Sequence, residues 1–311
     1  MELIQKQFAY EGLDIAPSCH ASTILKLGEG RFLCAWFAGS RESASDVGIW
    51  HALFENGRWL PAERVPAKEQ VPHWNPVLFC KKDGTICLFY KIGPNCSDWH
   101  TMLTTSPDGI TWTEPRELIE NDISGGRGPV KNKPIYTSDG SLLAPASTEK
   151  GQWRPFIDIY EGNGSWRKVA IPTDDGINMI QPTLWESEKG CISALMRTNK
   201  EKIYRSDSLD GGNSWCRAYP TEMPNNNSGI DCVRLEDGRL VLVCNPSAPR
   251  IRTPLTVFVS HDNGLTFTKA LDLETQPGEY SYPAVITDGE YIYVTYTWKR
   301  QKIAFCQIKI H

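Results

Sequence analysis

The stretch Ser260–Phe267, "SHDNGLTF", is a tight polar turn that runs into an aromatic residue, and the chain says it again. "SLDGGNSW" from Ser208 to Trp215 keeps the frame of serine, aspartate, glycine, hydroxyl residue and aromatic, and "SPDGITW" from Ser106 to Trp112 is one residue shorter. Two worn copies, "YEGNGSW" ending at Trp166 and "FENGRW" ending at Trp59, keep only the glycine and the tryptophan. From Trp59 to Phe267 the closing aromatics stand 53, 54, 49 and 52 residues apart. A second mark repeats with them: Gly30, Gly84, Gly140, Gly190, Gly238 and Gly289, at intervals of 54, 56, 50, 48 and 51 residues. Six units therefore fill the chain.

Around each of these glycines the pattern is strand, turn, strand, because Asp-Gly or a similar pair supplies the positive φ of a type I′ hairpin. The rest of each unit has room for two more short strands. Four strands per unit make a blade, so the expected fold is an all-β, six-bladed β-propeller forming one domain over residues 1–311. A solenoid would use shorter, more regular units with capping ends. The N-terminal segment is expected to pair with the last blade, since ring closure removes exposed edges. In the repeated turn, Ser and Asp bond backbone amides and the aromatic packs between sheets, a structural role without catalysis.

The 311 residues carry a formal charge of −4 and no lysine- or arginine-rich run, which argues against nucleic-acid or anionic-membrane partners. The N-terminus lacks a basic start followed by an apolar core, and no apolar run nears the roughly 20 residues of a bilayer span, so a cytoplasmic location is expected. Of ten cysteines, Cys34, Cys80, Cys87, Cys191, Cys232, Cys244 and Cys306 lie mostly in apolar, strand-like runs and are expected as reduced core thiols. The spacing offers no metal site, and no cofactor is expected.

Propellers bind ligands at one end of the channel, where each innermost strand begins and each second strand releases its loop. Counting nine residues back from the hairpin glycines gives Ala21, Asn75, Lys131, Gln181, Gly229 and Tyr280, with His20 and Glu279 one residue earlier in their blades. Following the second strands forward reaches Arg41, Glu42 and Asp46, then Lys91, Glu149, Arg197, Arg252 and Trp298. Arginines converging from distant segments suit an anionic small ligand, because the guanidinium fork binds carboxylates bidentately.

Across essentially its whole length the chain resembles the sialidase superfamily, in particular bacterial and plant sialidase-like proteins with BNR/Asp-box repeats. The motifs that carry this, in order, are "CHASTILKLGEGRFLCAWFAGSRESASDVGIW", "WNPVLF", "RGPVKNKPI", "NNNSGIDCVRLEDGRLVLVCNPS" and "EYSYPAV". The resemblance implies that Asp46 is the general acid, Tyr280 the nucleophile, and Arg197 and Arg252 two members of the triad gripping the substrate carboxylate. Tyrosine suits a sugar whose own carboxylate repels a carboxylate nucleophile. Arg41, Gln181, Asn75, Arg127, Lys131 and Glu149 complete the expected substrate-binding set. The sequence departs from the family at two places. His20 stands where the family has its first triad arginine, and Gln181 stands where it has the glutamate that activates the tyrosine. A neutral glutamine takes no proton, which leaves Glu279 or Glu149 for that task.

The expected function is a retaining exo-glycosidase of sialidase type acting on an acidic mono- or oligosaccharide. A uronate lyase using His20 or a tyrosine as base is one alternative, and a carbohydrate-binding propeller without catalysis is another. His20 is expected to line the pocket and to titrate near its ordinary value.

Overall fold

Turns at near-regular intervals cut the chain into short runs rich in β-branched and aromatic residues, which favour strands. In the computed structural model, which describes residues 1–67, 70–247 and 250–311, every regular element is a strand. The strands form six antiparallel sheets in chain order, the blades of a six-bladed propeller. Innermost to outermost, blade two is His73–Cys80, Ile86–Ile92, His100–Ser106 and Arg116–Glu117; blade four is Met179–Glu188, Cys191–Thr198, Lys202–Ser208 and Tyr219–Pro224. Blades three and five follow the same order. Their inner pairs are Ile135–Tyr136 with Leu142–Thr148, and Asp231–Arg234 with Leu240–Cys244. Blade one, which begins with Ser18–Gly28 and Arg31–Gly39, carries an extra short edge strand, Glu63–Arg64.

Blade six takes three strands from the C-terminus, Tyr280–Thr287, Tyr291–Trp298 and Lys302–Lys309, and its fourth, Glu2–Tyr10, from the N-terminus, as expected. Lys6 lies opposite Cys306 in this pairing, and its ammonium bonds Glu274 at the end of blade five. Glu274 also accepts the Tyr296 hydroxyl at 2.7 Å, so the closing strand is tied to two blades.

The turn chemistry differs from expectation in two ways. The Asp-Gly hairpins are not type I′. At Lys81–Thr85 and Leu235–Arg239 a three-residue loop closes on a glycine amide bonded three residues back, and the glycine alone has positive φ, the geometry of a type I turn with a bulge. The true type I′ pairs are Asn56-Gly57 and Asn163-Gly164, the supposed worn copies of the Asp turn, where both residues are left-handed. Without Ser and Asp to bond the loop amides, these segments relax to the shortest hairpin. The three full copies are bonded as expected: Asp210 Oδ1 accepts the Ser214 amide at 2.8 Å and Ser208 Oγ accepts that of Gly212 at 2.9 Å.

The core lies between blades. Phe37, Ile49, Trp74 and Leu88 pack together where blades one and two meet, and Val257, Val285, Val294 and Tyr280 where five and six meet. All ten cysteines are unpaired; of the seven singled out above, Cys80 and Cys191 are only half-buried and the other five are buried.

Polar groups hold the axis. Lys131, fully buried, reaches from blade three to donate to the carbonyl oxygens of Ile230 (2.7 Å) and Pro283, in blades five and six, and to Asn132 Oδ1 (2.8 Å). Three acceptors match the three N–H groups of an ammonium. Asp231 of blade five accepts from Lys133 (2.9 Å), Thr183 (2.8 Å) and the Val285 amide (2.8 Å), linking blades three, four and six.

Gly229 lies against this plug. A Cβ there would stand 3.1 Å from Lys131 Cε and 3.2 Å from the Tyr282 ring, and Lys131 is tethered at its tip. We expect Gly229→Ala to destabilise the fold by about 1–3 kcal/mol through overpacking, read as a lower urea midpoint at unchanged slope. An unmoved midpoint would mean that the Lys131–Tyr282 contact yields freely.

Candidate functional site

The innermost strands do not run straight into the channel mouth. Ala21 (φ 56°), Asn75 (42°), Lys131 (67°), Gln181 (57°) and Tyr282 (54°) are all left-handed, and in four of these blades the ladder shifts register there. A left-handed non-glycine residue costs of order 1–3 kcal/mol and persists only where its surroundings over-determine it. Each bulge bends its strand and re-aims a side chain at the mouth.

The resulting cluster centres on Tyr282. Its hydroxyl accepts a hydrogen bond from Arg197 Nη1 at 2.7 Å, and its ring lies 4.2 Å from that of His20. Arg197 also donates to Gln181 Oε1 (3.2 Å) and Asn227 Oδ1 (3.0 Å). Arg252 and Arg300 share Glu279, each at 2.6 Å, and Arg300 also bonds Glu42 at 2.5 Å. Thus Arg252 and Arg300 have carboxylate partners. Arg197, only 6% exposed, is bonded by neutral groups alone among the described residues.

Electrostatics follow from this crowding. Burial, then the charges of Arg300, Arg252, Arg197 and Lys131, push His20 well below its ordinary value; its Nδ1 bonds Thr297 Oγ1 at 2.8 Å. The expected titration near pH 6.5 therefore does not hold, because four cations face a buried imidazole. Burial brings Lys131 down to about 7, with Asp231 opposing. Burial alone would raise Glu279, but Arg252 and Arg300 outweigh it and hold the carboxyl low.

Of the residues singled out in the sequence, the structure brings His20, Gln181, Arg197, Arg252 and Glu279 together, with Glu149 beside Arg197. Tyr280 does not join them. It is 1% exposed, packed with Trp298 in the core between blades five and six, and Tyr282 takes the bulge position instead. The count slips because Gly289 is followed by Glu290 and Tyr291 before the return strand pairs, whereas Gly84 is the last residue of its loop. Arg127 is also elsewhere. It forms a bidentate pair with Asp158, wholly buried and in need of a counter-charge, and donates to the Trp166 carbonyl near the outer edge of blade three.

Lys131 lies beneath the pocket as the axial plug, and Lys91 is buried on Thr101 and the Arg127 carbonyl, brought down to about 7 by burial. Asn75 is buried at the blade-two bulge. Arg41 is exposed on the blade-one loop and makes no bond through its guanidinium among the described residues. Asp46, on the same loop, is exposed and accepts the Ser40 amide and hydroxyl, both at 2.9 Å. Its slight burial opposes ionisation, but the Ser40 bonds prevail and keep its carboxyl below its ordinary value. Sequence reasoning missed Tyr282, Arg300 and Asn227. Tracing the second strand of blade six to its end stopped at Trp298, two residues short of Arg300 in the left-handed Lys299–Arg300 turn.

Six blades with Asp-box turns at one end and a basic, tyrosine-centred cluster at the other define a sialidase-like propeller. The family model described as BNR repeat-like domain matches residues 30–294, and the chain belongs to that family. No curated protein matches it. Among solved structures it is similar to a protein of unknown function from Dyadobacter fermentans, at TM-score 0.82 and 17% identity over 99% of each chain. It is also similar to the Hadza microbial sialidase Hz136, at TM-score 0.82 and 16% identity over 98% of this chain and 68% of that one. The NanB sialidase from Streptococcus pneumoniae follows at 0.77 and 13%, over 98% and 70%. At these identities the likeness establishes the fold.

The buried imidazole has a measurable consequence. Unfolded, His20 takes up a proton near pH 6.5, whereas folded it stays neutral to lower pH. Below about pH 6.5 the unfolded state therefore binds more protons, and stability falls as pH falls. Wild type should lose more stability than His20→Asn between about pH 7.5 and 5.5 in denaturant titrations. His51, also lowered by burial, contributes equally to both proteins. Equal losses would contradict a neutral His20.

Proposed function

We propose that the protein is a glycosidase of sialidase type acting on a carboxylate-bearing sugar. The observation that carries this is Arg197. A guanidinium almost fully withdrawn from water and bonded only by neutral groups is costly unless an anion completes it. Arg252 and Arg300, locked in direction by Glu279, stand on adjoining blades to share a carboxylate with it.

Tyr282 is the nucleophile of this reading. Arg197 donates to its oxygen and holds the phenol in place. Tyr282 is only partly buried, so its proton passes to solvent. The likeness in fold to solved sialidases supports the reading without deciding the sugar.

One observation favours a second reading. No carboxylate contacts Tyr282 among the described residues, and a neutral imidazole stands beside it. A phenol and a neutral histidine next to arginines that neutralise a carboxylate also suit β-elimination of a uronide.

Incubation with sialosides and with uronide oligosaccharides, recording reducing ends and the ultraviolet absorbance of an unsaturated uronate, separates these readings. Hydrolysis raises only the first signal, elimination raises both, and simple binding raises neither. Under the hydrolytic reading, Tyr282→Phe should lose at least about a hundredfold in turnover, the scale on which losing a catalytic group registers. Tyr280→Phe should stay within a few-fold of wild type, since its hydroxyl lies against Gly278 and bonds none of the groups around Tyr282 among the described residues. The reverse ranking would return the nucleophile to Tyr280.

A further inference from the structure

A retaining hydrolysis needs a proton donor at the leaving-group oxygen, and Asp46 is poorly placed to be one. Both of its oxygens accept bonds from Ser40, which favour the ionised form. Glu149 differs from the other acidic groups of the mouth. Glu42 and Glu279 are tied to arginines, whereas the half-buried Glu149 carboxylate makes no hydrogen bond or ion pair among the described residues.

Glu149 directly follows the strand Leu142–Thr148, two residues after Ser147, and its carboxylate lies within the field of Arg197. Ser147 Oγ accepts the Gln181 amide at 3.2 Å, and the Gln181 side chain bonds Arg197. The Glu149 backbone is held in turn by Ser97, whose hydroxyl donates to its carbonyl at 3.2 Å. The carboxyl therefore stands on the wall that carries Arg197 and, through it, Tyr282.

Resting on the glycosidase reading above, we infer that Glu149, and not Asp46, is the proton donor and acceptor of the reaction. Glu149 passes its proton to the glycosidic oxygen as the bond from that oxygen to the anomeric carbon breaks and Tyr282 Oη bonds to that carbon. The leaving alcohol departs with the proton. The Glu149 carboxylate then takes a proton from a water whose oxygen attacks the same carbon, and Tyr282 leaves as the phenolate. The surroundings suit a group that must be protonated first. Burial raises Glu149 above its ordinary range, Arg197 pulls the other way, and the like charge of Glu42 adds to the rise. The nearby Cys96 thiol, itself pushed up to about 12 by burial, stays neutral.

The test compares methyl and 4-nitrophenyl glycosides of N-acetylneuraminic acid and of glucuronic acid, which share a sugar but differ in how much the leaving group needs a proton. Glu149→Gln should lose at least about a hundredfold in kcat/KM on the methyl glycoside and less than about tenfold on the nitrophenyl one. The basic limb of the wild-type pH profile should vanish with it. Glu149→Ala should regain turnover of the nitrophenyl glycoside when formate is added, since formate supplies the missing carboxylate. Equal loss by Glu149→Gln on both leaving groups, or the leaving-group split in Asp46→Asn instead, overturns the inference and leaves the glycosidase reading standing. A wild-type protein that cleaves none of the four probes overturns that reading and the inference with it.

Discussion

Lys131 crosses the axis from blade three to the carbonyl oxygens of Ile230 in blade five and Pro283 in blade six, and the channel mouth depends on that crossing. Where six inner strands converge, carbonyl groups face a narrow space with little room for water, and each one left unbonded costs about 1–3 kcal/mol. One ammonium satisfies two of them from different blades, and Asn132 beside it serves the Gln181 and Pro182 carbonyls of blade four. The bond to Pro283 fixes the residue that follows Tyr282, while Gly229, before Ile230, leaves space for the Tyr282 ring. Closing the channel and aiming the phenol are thus one construction.

The left-handed bulges fit the same logic. Each is locally unfavourable, and two are held through their amides by a partner in another blade: that of Gln181 by Ser147 and that of Ala21 by Thr297 at 3.1 Å. Strain at the mouth is therefore spread around the ring, and rigidity there rests on interblade bonds rather than on any one loop. The Arg197 guanidinium is fixed in direction by neutral groups from three blades. Gln181, Asn227 and Tyr282 hold its Nε and Nη1 while adding no charge.

The propeller was legible because its signal is periodic and local. A hairpin glycine or an Asp turn needs particular residues wherever it occurs, so six units could be counted without any tertiary information. The site was legible only as far as that count stays in register. It held for Ala21, Asn75, Lys131 and Gln181; in blade five the left-handed residue is Asn227 rather than Gly229, and in blade six the count failed by two residues at Tyr282, because the last hairpin places its glycine earlier in the loop. In "EYSYPAV" the two tyrosines are two residues apart and would share a face in a regular strand; the bulge between Ser281 and Ala284 separates them, Tyr280 to the core and Tyr282 to the mouth. Arg127 was misread for another reason. An arginine beside a glycine-rich turn looks like a ligand group until the buried Asp158, some thirty residues on in chain order, is brought against it by the antiparallel sheet, a pairing that only tertiary structure supplies.

The two departures from the sialidase pattern are better understood together than apart. Histidine in place of an arginine removes a positive charge from the mouth, and glutamine in place of a glutamate removes a negative one. Either change alone would leave the pocket out of balance. Gln181 alone would crowd cations around Tyr282, and His20 alone would leave a carboxylate facing a neutral wall. Both together keep the net charge, and the Arg300–Glu279 pair, which adds none, places a guanidinium next to Arg252 from the neighbouring blade. His20 fits this arrangement only as a neutral ring, since four cations surround it. Under the proposed function, the neutral imidazole, Gln181 and the Glu279-paired Arg300 together leave guanidinium groups beside a phenol without adding net charge. No carboxylate bonds Tyr282 among the described residues, and the unbonded carboxylate nearest in charge to Arg197 is that of Glu149.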